Sequence, residues 1–375
     1  MILTSIIITV IYVALIFAFI IGFNRVQNFE YTTCKPQNKF SILIPFRNET
    51  ENLPALLESL SKLKYPVELF EIFLINDNSS DNYKSLLDNF NNQYKKLQIH
   101  LINSKRKSSS PKKDAIETAI NEANFEWIIT TDADCILPKN WLCNFDDFIQ
   151  KNNTKMIVAP VAFIYEKKYL NNFQILDFLS LQGSTIGGFG IEKPFLCNGA
   201  NLCYNKEAFL KVNGFDGNDH IAGGDDIFLL EKFINHFPNK VQYLKSDTSI
   251  VKTKAQTTLN QLIDQRVRWA SKTSSYTNSF AKLVGIIVLI TNLYLIFLFI
   301  IAALNYINWQ HFGVVFLAKF NIDFLIIYKS SKFFNQQEAL KKYLISSLLY
   351  PIFNVFIAFL SFFRKFEWKG RSFKK

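Results

Sequence analysis

The sequence predicts an α/β protein: a mostly parallel sheet flanked by helices, between an N-terminal transmembrane helix and a C-terminal membrane helical region. Three observations predict it. Short β-rich runs alternate with amphipathic helical runs from residue 41 to residue 161, the pattern of a parallel sheet with right-handed crossovers. Residues 2–23 and 283–304 carry no charged side chain, and each run is long enough to cross a bilayer. Residues 311–363 are rich in Phe, Leu and Ile with scattered charges, whereas residues 40–280 have ordinary globular composition. The expected segments are an anchor at 1–24, a soluble domain at 38–280, transmembrane and interfacial helices at 281–364, and a basic tail at 365–375.

The first apolar run lacks a basic leader and a small-residue cleavage site before Arg25, so it is expected to persist as an anchor. Five cysteines (Cys34, Cys135, Cys143, Cys197, Cys203) are odd in number and lack metal-ligand spacing, which suits reduced thiols. The formal charge of +11 gathers in the soluble domain and around the C-terminal segments. It suits the cytoplasmic side and anionic headgroups. No nucleic-acid recognition motif accompanies the charge, and no nucleic-acid partner is expected.

Ser41 to Phe46 reads as a first strand, and Arg47, Asn48 and Glu49 follow it. A helix from about Asn52 to Leu63 has its apolar stripe at Leu53, Leu56, Leu57 and Leu60. Phe70–Asn76 is a second strand running into an acidic loop, Asp77 to Asp81. A helix over 83–90, a strand over 98–102 and a basic, Ser-rich loop over 105–113 come next. Pro111 opens a helix through Glu122. The strand at 126–131 ends in Asp132-Ala133-Asp134.

Strands 70–76 and 126–131 thus both end in carboxylates. The carboxyl ends of parallel strands share one edge of a sheet, where open α/β folds bind ligands, so Asp77, Asp132 and Asp134 are expected to converge. Hard divalent cations prefer carboxylate oxygens. Simpler readings stay open here: Asp132 and Asp134 as caps of a helix opening near Pro138, and Asp77 as a turn residue. Lys155–Val161 looks like a further strand, and 168–190 like an apolar helix ending in the Gly-rich turn Gly187–Gly190. Phe195 to Cys203 returns toward the sheet. Gly223-Gly224-Asp225-Asp226 opens an amphipathic helix to Phe237, where the two carboxylates would also favour the helix dipole. Thr258–Tyr276 is a helix carrying Gln265, Arg266, Arg268 and Trp269.

Four motifs in this order across residues 41–270 resemble the inverting glycosyltransferases of family 2: the strand-end Asp77, the D-x-D of Asp132 and Asp134, Asp225-Asp226-Ile227-Phe228-Leu229, and the Q-x-x-R-W of Gln265, Arg268 and Trp269. The resemblance implies the Rossmann-like GT-A fold. It implies a nucleotide-sugar donor held by Pro45, Asn48, Glu49, Asp77, Lys112 and Asp132, with Gln265, Arg268 and Trp269. It implies Mg²⁺ or Mn²⁺ on Asp134 and Asp226 as general base. Asp225, Cys197, Asn198 and Gly199 would then border the acceptor. Arg268 offers a planar fork to a diphosphate, and Trp269 an aromatic face to a sugar. The simpler readings are a surface pair beside the membrane for Arg268 and Trp269, and for Lys112 one of several basic residues in its loop.

The chain departs from the family pattern by carrying Asp225 where relatives usually carry Glu. Phe195-Leu196-Cys197-Asn198-Gly199-Ala200 stands where processive members carry F-F-C-G-S/T. Together with few membrane segments, this favours transfer of a single sugar to a membrane lipid or lipid-linked acceptor. A short processive polysaccharide synthase and a non-catalytic membrane scaffold are the alternatives. A cytosolic catalytic domain on an inner or plasma membrane is expected, because nucleotide sugars are cytosolic. Lys319 and Asp323, at i and i+4 in an apolar run, are expected to face protein or each other. Pro351 and Asn354 predict a re-entrant or interfacial hairpin at 343–363, leaving the basic tail, with Trp368-Lys369-Gly370-Arg371, in the cytosol.

Overall fold

The computed structural model describes residues 1–32, 35–364, 366–368 and 371–373. They form two compact units that interleave along the chain: 27–164 with 196–254, and 1–26 with 165–195 and 255–375.

The first unit holds a seven-stranded sheet. Along the chain the strands of this unit, seven in that sheet and two in a separate pair, are β1 (Phe40–Phe46), β2 (Phe70–Asn76), β3 (Ile99–Asn103), β4 (Trp127–Thr130), β5 (Met156–Val158), β6 (Val161–Phe163), β7 (Leu202–Asn205), β8 (Val241–Tyr243) and β9 (Val251–Thr253). The sheet order is β3-β2-β1-β4-β7-β5-β8, while β6 and β9 pair separately. The β3/β2, β2/β1, β1/β4 and β5/β8 pairs are parallel, and β7 runs antiparallel between β4 and β5. Strands β1, β2 and β4 are buried nearly throughout, as expected of a parallel sheet covered on both faces. Helices α2 (Leu53–Ser61), α3 (Tyr83–Gln93), α4 (Pro111–Glu122), α5 (Trp141–Lys151), α7 (Lys206–Lys211) and α8 (Asp225–His236) belong to this unit.

The strand expected over 155–161 is in fact two. Pro160 has no N–H to give a ladder, and its carbonyl accepts from Val251 N and Asn201 Nδ2. The chain therefore leaves the main sheet after Val158 and pairs with β9 from Val161. The exchange of main-chain bonds between Ile136 and Lys252 lays β9 beside the loop that follows β4.

The second unit is helical: α1 (Ile2–Arg25), α6 (Tyr169–Gly190), α9 (Leu259–Ala270), α10 (Ser279–Ala303), α11 (Trp309–Phe333) and α12 (Tyr343–Phe363), then the hairpin β10 (Phe366–Trp368) and β11 (Arg371–Phe373). Lys369 and Gly370 of the basic tail motif lie outside the described residues, as does Cys34. Among the described residues four helices, Ile2–Arg25, Ser279–Ala303, Trp309–Phe333 and Gln337–Phe363, are long and apolar enough to cross a membrane.

Two expectations are corrected here. Gly187–Gly190 forms no turn, because α6 runs through it to Gly190. The glycines serve close packing against α1: a Cβ added at Gly190 would lie 1.8 Å from the Gly22 carbonyl oxygen, and one at Gly187 2.5 Å from that of Phe19. Residues 343–363 form one continuous helix, not a hairpin. Pro351 removes a single intrahelical bond, and Asn354 makes no turn but accepts from Asn292 of α10 at 3.3 Å. As expected, Lys319 and Asp323 pair with each other (2.6 Å), and Tyr12 of α1 donates to the same carboxylate at 2.7 Å.

Candidate active site

Three parallel strand ends build the site. After β1, Arg47 donates to the carbonyls of Asp77 (2.9 Å) and Asn78, joining the loops that follow β1 and β2. Asn48 holds a left-handed backbone (φ 52°), its Oδ1 accepts from Ser80 N, and its own N–H bonds Ser79 Oγ. Asp77 is buried at the strand end, with Arg106 Nη1 3.5 Å from its carboxylate. Arg106 also faces Asp114, which gathers Lys107 N, Ser108 N and Ser108 Oγ and so ties the basic loop to α4. Pro45 lies within β1, and Glu49 follows it, buried and held by Asn52 Nδ2 at 2.6 Å.

After β4 the chain turns so that Cys135 N bonds the Asp132 carbonyl. Asp134 Oδ2 accepts from Thr253 Oγ1 (3.0 Å) on β9. Burial, then the charges of Asp132 and Glu49, push the Asp134 carboxyl up to about 6, against the pull of Thr253. Mutual repulsion of this kind is relieved by a cation.

Lys112, on the first turn of α4, already supplies one positive charge. Its Nζ lies 2.8 Å from Asp132 Oδ1 and 3.2 Å from Asp225 Oδ2. Burial disfavours the ammonium, yet Asp132, Asp225 and Asp226 hold its pKa well above the usual lysine value. Gly223 and Gly224, both with positive φ, deliver Asp225 and Asp226 to the start of α8. Asp226 accepts from Gly199 N (3.0 Å) and Ile227 N (2.8 Å), which fixes the carboxylate. Gly199 packs tightly against the cluster: a Cβ there would stand 3.1 Å from Asp225 Oδ2 and 3.3 Å from Lys112 Nζ. Asn198 Oδ1 caps the short turn at Gly199–Asn201, and Thr130 Oγ1 bonds the Gly199 carbonyl. Cys197 is pushed up by burial, then by Asp226 and Asp225, and stays a thiol.

The structure thus gathers Lys112, Asp132, Asp225, Asp226 and Gly199, with Asp134 beside them. Gln265, Arg268 and Trp269 lie together on α9 of the helical unit. Sequence reasoning missed Thr253 and Arg106, because no local spacing links either to the carboxylate it faces. Among the described residues no three His, Cys, Asp or Glu side chains converge to hold a metal. The donor set present, Asp134 with Asp132 nearby, fits a hard cation that takes its remaining oxygens from substrate phosphates.

A strand-end acidic cluster thus lies on a mostly parallel sheet in a chain that also carries long apolar helices, and comparison with known proteins gives the class. The family model described as Glycosyl transferase family 2 matches residues 41–212, and that described as Glycosyl transferase family group 2 matches residues 127–362, more than half of the chain. The chain belongs to glycosyltransferase family 2 and is a glycosyltransferase. It is 24% identical over 311 residues to poly-beta-1,6-N-acetyl-D-glucosamine synthase of Staphylococcus epidermidis, covering 76% of this chain and 72% of that protein. It is 34% identical over 104 residues to undecaprenyl-phosphate 4-deoxy-4-formamido-L-arabinose transferase of Proteus mirabilis, covering 28% of this chain and 31% of that protein. The mannosyltransferase PcManGT from Pyrobaculum calidifontis, solved with GDP-Man and Mn²⁺, shares the fold at a TM-score of 0.59 and 13% identity, with 96% and 98% of the two chains covered.

Proposed function

We propose that the protein moves one sugar, with inversion, from a nucleotide-sugar donor to a lipid or lipid-linked acceptor at the cytosolic face of an inner or plasma membrane. The observation that carries the reading is the Lys112 ammonium bridging Asp132 and Asp225, next to Asp226 fixed on the Gly199 N–H. In this reading Asp77 binds the base or ribose, with Arg106 holding its carboxylate in place. Pro45, Asn48 and Glu49 shape the donor side of the edge. Asp132 and Lys112 contact the diphosphate-bearing part of the donor. Asp134, oriented by Thr253, would hold Mg²⁺ or Mn²⁺. The cation, when bound, neutralises charge developing on the departing diphosphate.

Asp226 acts as general base. Two backbone donors hold the carboxylate while a remaining lone pair takes the proton of the acceptor hydroxyl as that oxygen attacks the anomeric carbon. A single displacement inverts the centre. Asp225, with Cys197, Asn198 and Gly199, borders the acceptor. Gln265 and Arg268 serve the diphosphate, and Trp269 offers a flat apolar face. The four apolar helices support delivery of the acceptor from the bilayer.

A second reading, a short processive polysaccharide synthase, is favoured by the Q-x-x-R-W motif and by the poly-beta-1,6-N-acetyl-D-glucosamine synthase relative. Product size separates the two. Membranes containing the protein, given a panel of labelled nucleotide sugars, should place label in one discrete lipid. A ladder of polymer would support the synthase instead.

A further inference from the structure

Arg266 sits inside the Q-x-x-R-W motif at a position to which the motif gives no role. On the helical unit its surroundings are specific. Nε donates to Asp177 Oδ2 of α6 at 2.8 Å, and both side chains are 7% exposed. The guanidinium carbon lies 4.2 Å from the centroid of the Trp269 ring, and Trp269 in turn meets Phe178, the residue after Asp177. Locked on these two sides, Nη1 donates to Gln265 Oε1. Nη2 has no hydrogen-bond partner among the described residues.

We propose that Arg266, locked by Asp177 and Trp269, is a positioning residue that fixes the Gln265 amide so that its NH₂ group, not its carbonyl, is presented to the donor. Arginine has five donors and no acceptor, so the amide atom facing it must be the oxygen. The amide nitrogen is thereby turned away from Arg266, as a donor matched to phosphate or sugar oxygens. A free glutamine would sample both amide orientations, and half of them would aim an oxygen at an anionic group. The ion pair itself is a poor choice for stability. It buries two charges and leaves a guanidinium N–H unmet, where an apolar pair of similar volume would pack α9 on α6 at least as well. Orientation is what the pair supplies and an apolar pair does not.

The inference rests on the proposed transfer reaction. The test is a double-mutant cycle in membranes holding the full chain, reading kcat and KM for the nucleotide sugar that labels the wild type. Arg266→Lys keeps a cation for Asp177 but loses the planar fork. It should lower kcat/KM on the order of tenfold, below the roughly 100-fold that a 1 Å misplacement can cost. In a Gln265→Ala background the same change should cost less than about twofold, since there is no amide left to orient. Asp177→Ala, which removes the oxygen that locks Arg266 Nε, should behave in the same way and serves if Arg266→Lys fails to fold. Losses that multiply in the double variants would overturn the positioning role while leaving the transferase reading intact. A wild type that labels no acceptor with any donor would overturn that reading, and this inference with it.

Discussion

At the scale of single residues, the site is a balance of opposed charges. Asp134 is crowded by burial and by the charges of Asp132 and Glu49, and Thr253 Oγ1 on β9 donates to its carboxylate. Thr253→Val removes that bond and keeps the shape, so Mn²⁺ affinity measured by titration in the presence of nucleotide should fall on the order of tenfold, the low end of the roughly 10–100-fold expected for groups supporting a metal ligand. An unchanged affinity would place the metal elsewhere. Chelation with EDTA should abolish transfer, and added Mn²⁺ or Mg²⁺ should restore it. Next to Lys112, Lys113 points the other way. Its ammonium is buried against Asn218 O, Asn218 Oδ1 and Ile221 O, with the Phe228 ring 4.8 Å away. Burial pulls it down to about 8, against Asp225, Asp226 and Asp219. A lysine lowered on folding costs stability fully below pH 8 and recovers it as pH rises toward its unfolded value of about 10.4. The thermal midpoint of wild type should therefore gain on that of Lys113→Met from pH 8 to pH 10. A constant difference would contradict the placement of this group.

At the scale of elements, legibility followed locality. α4 was readable to its ends because Pro111, with its fixed φ and missing N–H, signals a helix start. β2 was readable because a buried parallel strand is an unbroken apolar run bounded by turn residues. Where a distant partner decides, the sequence was mute. Pro160 splits a strand because β9 and Asn201 take its carbonyl. The glycines of α6 look like a turn until α1 lies across them. This yields a prediction. Gly190→Leu places side-chain atoms where the Gly22 backbone runs, and the cost should exceed the roughly 1–3 kcal/mol typical of core overpacking. In detergent the midpoint should drop by several degrees, whereas Gly285→Leu, where an added Cβ meets nothing within 4 Å, should leave it unchanged. Equal effects at both positions would contradict the α1–α6 contact.

At the scale of the whole molecule, composition alone separated apolar helices from a globular α/β region, because a bilayer and water select opposite surfaces. The carboxylates of the site were legible one by one. Their gathering was legible only through the rule that parallel strands end at one edge. What composition hid is that the chain crosses between its two units several times, with α6 and α9 grouping with the apolar helices. The proposed cytosolic placement of the sheet unit predicts that protease added outside sealed cells leaves residues 40–164 intact, and that lysis exposes them. Cleavage in sealed cells would invert the topology.

The central claim is Asp226-dependent transfer to a lipid. The most direct measurement compares wild type and Asp226→Asn in membranes supplied with labelled nucleotide sugars, counting label in the lipid extract. The account predicts one discrete labelled lipid with wild type, and at least a hundredfold less with Asp226→Asn at unchanged donor affinity, in line with the roughly 10²–10⁴-fold contribution of general base catalysis. Near-normal labelling by Asp226→Asn would contradict it.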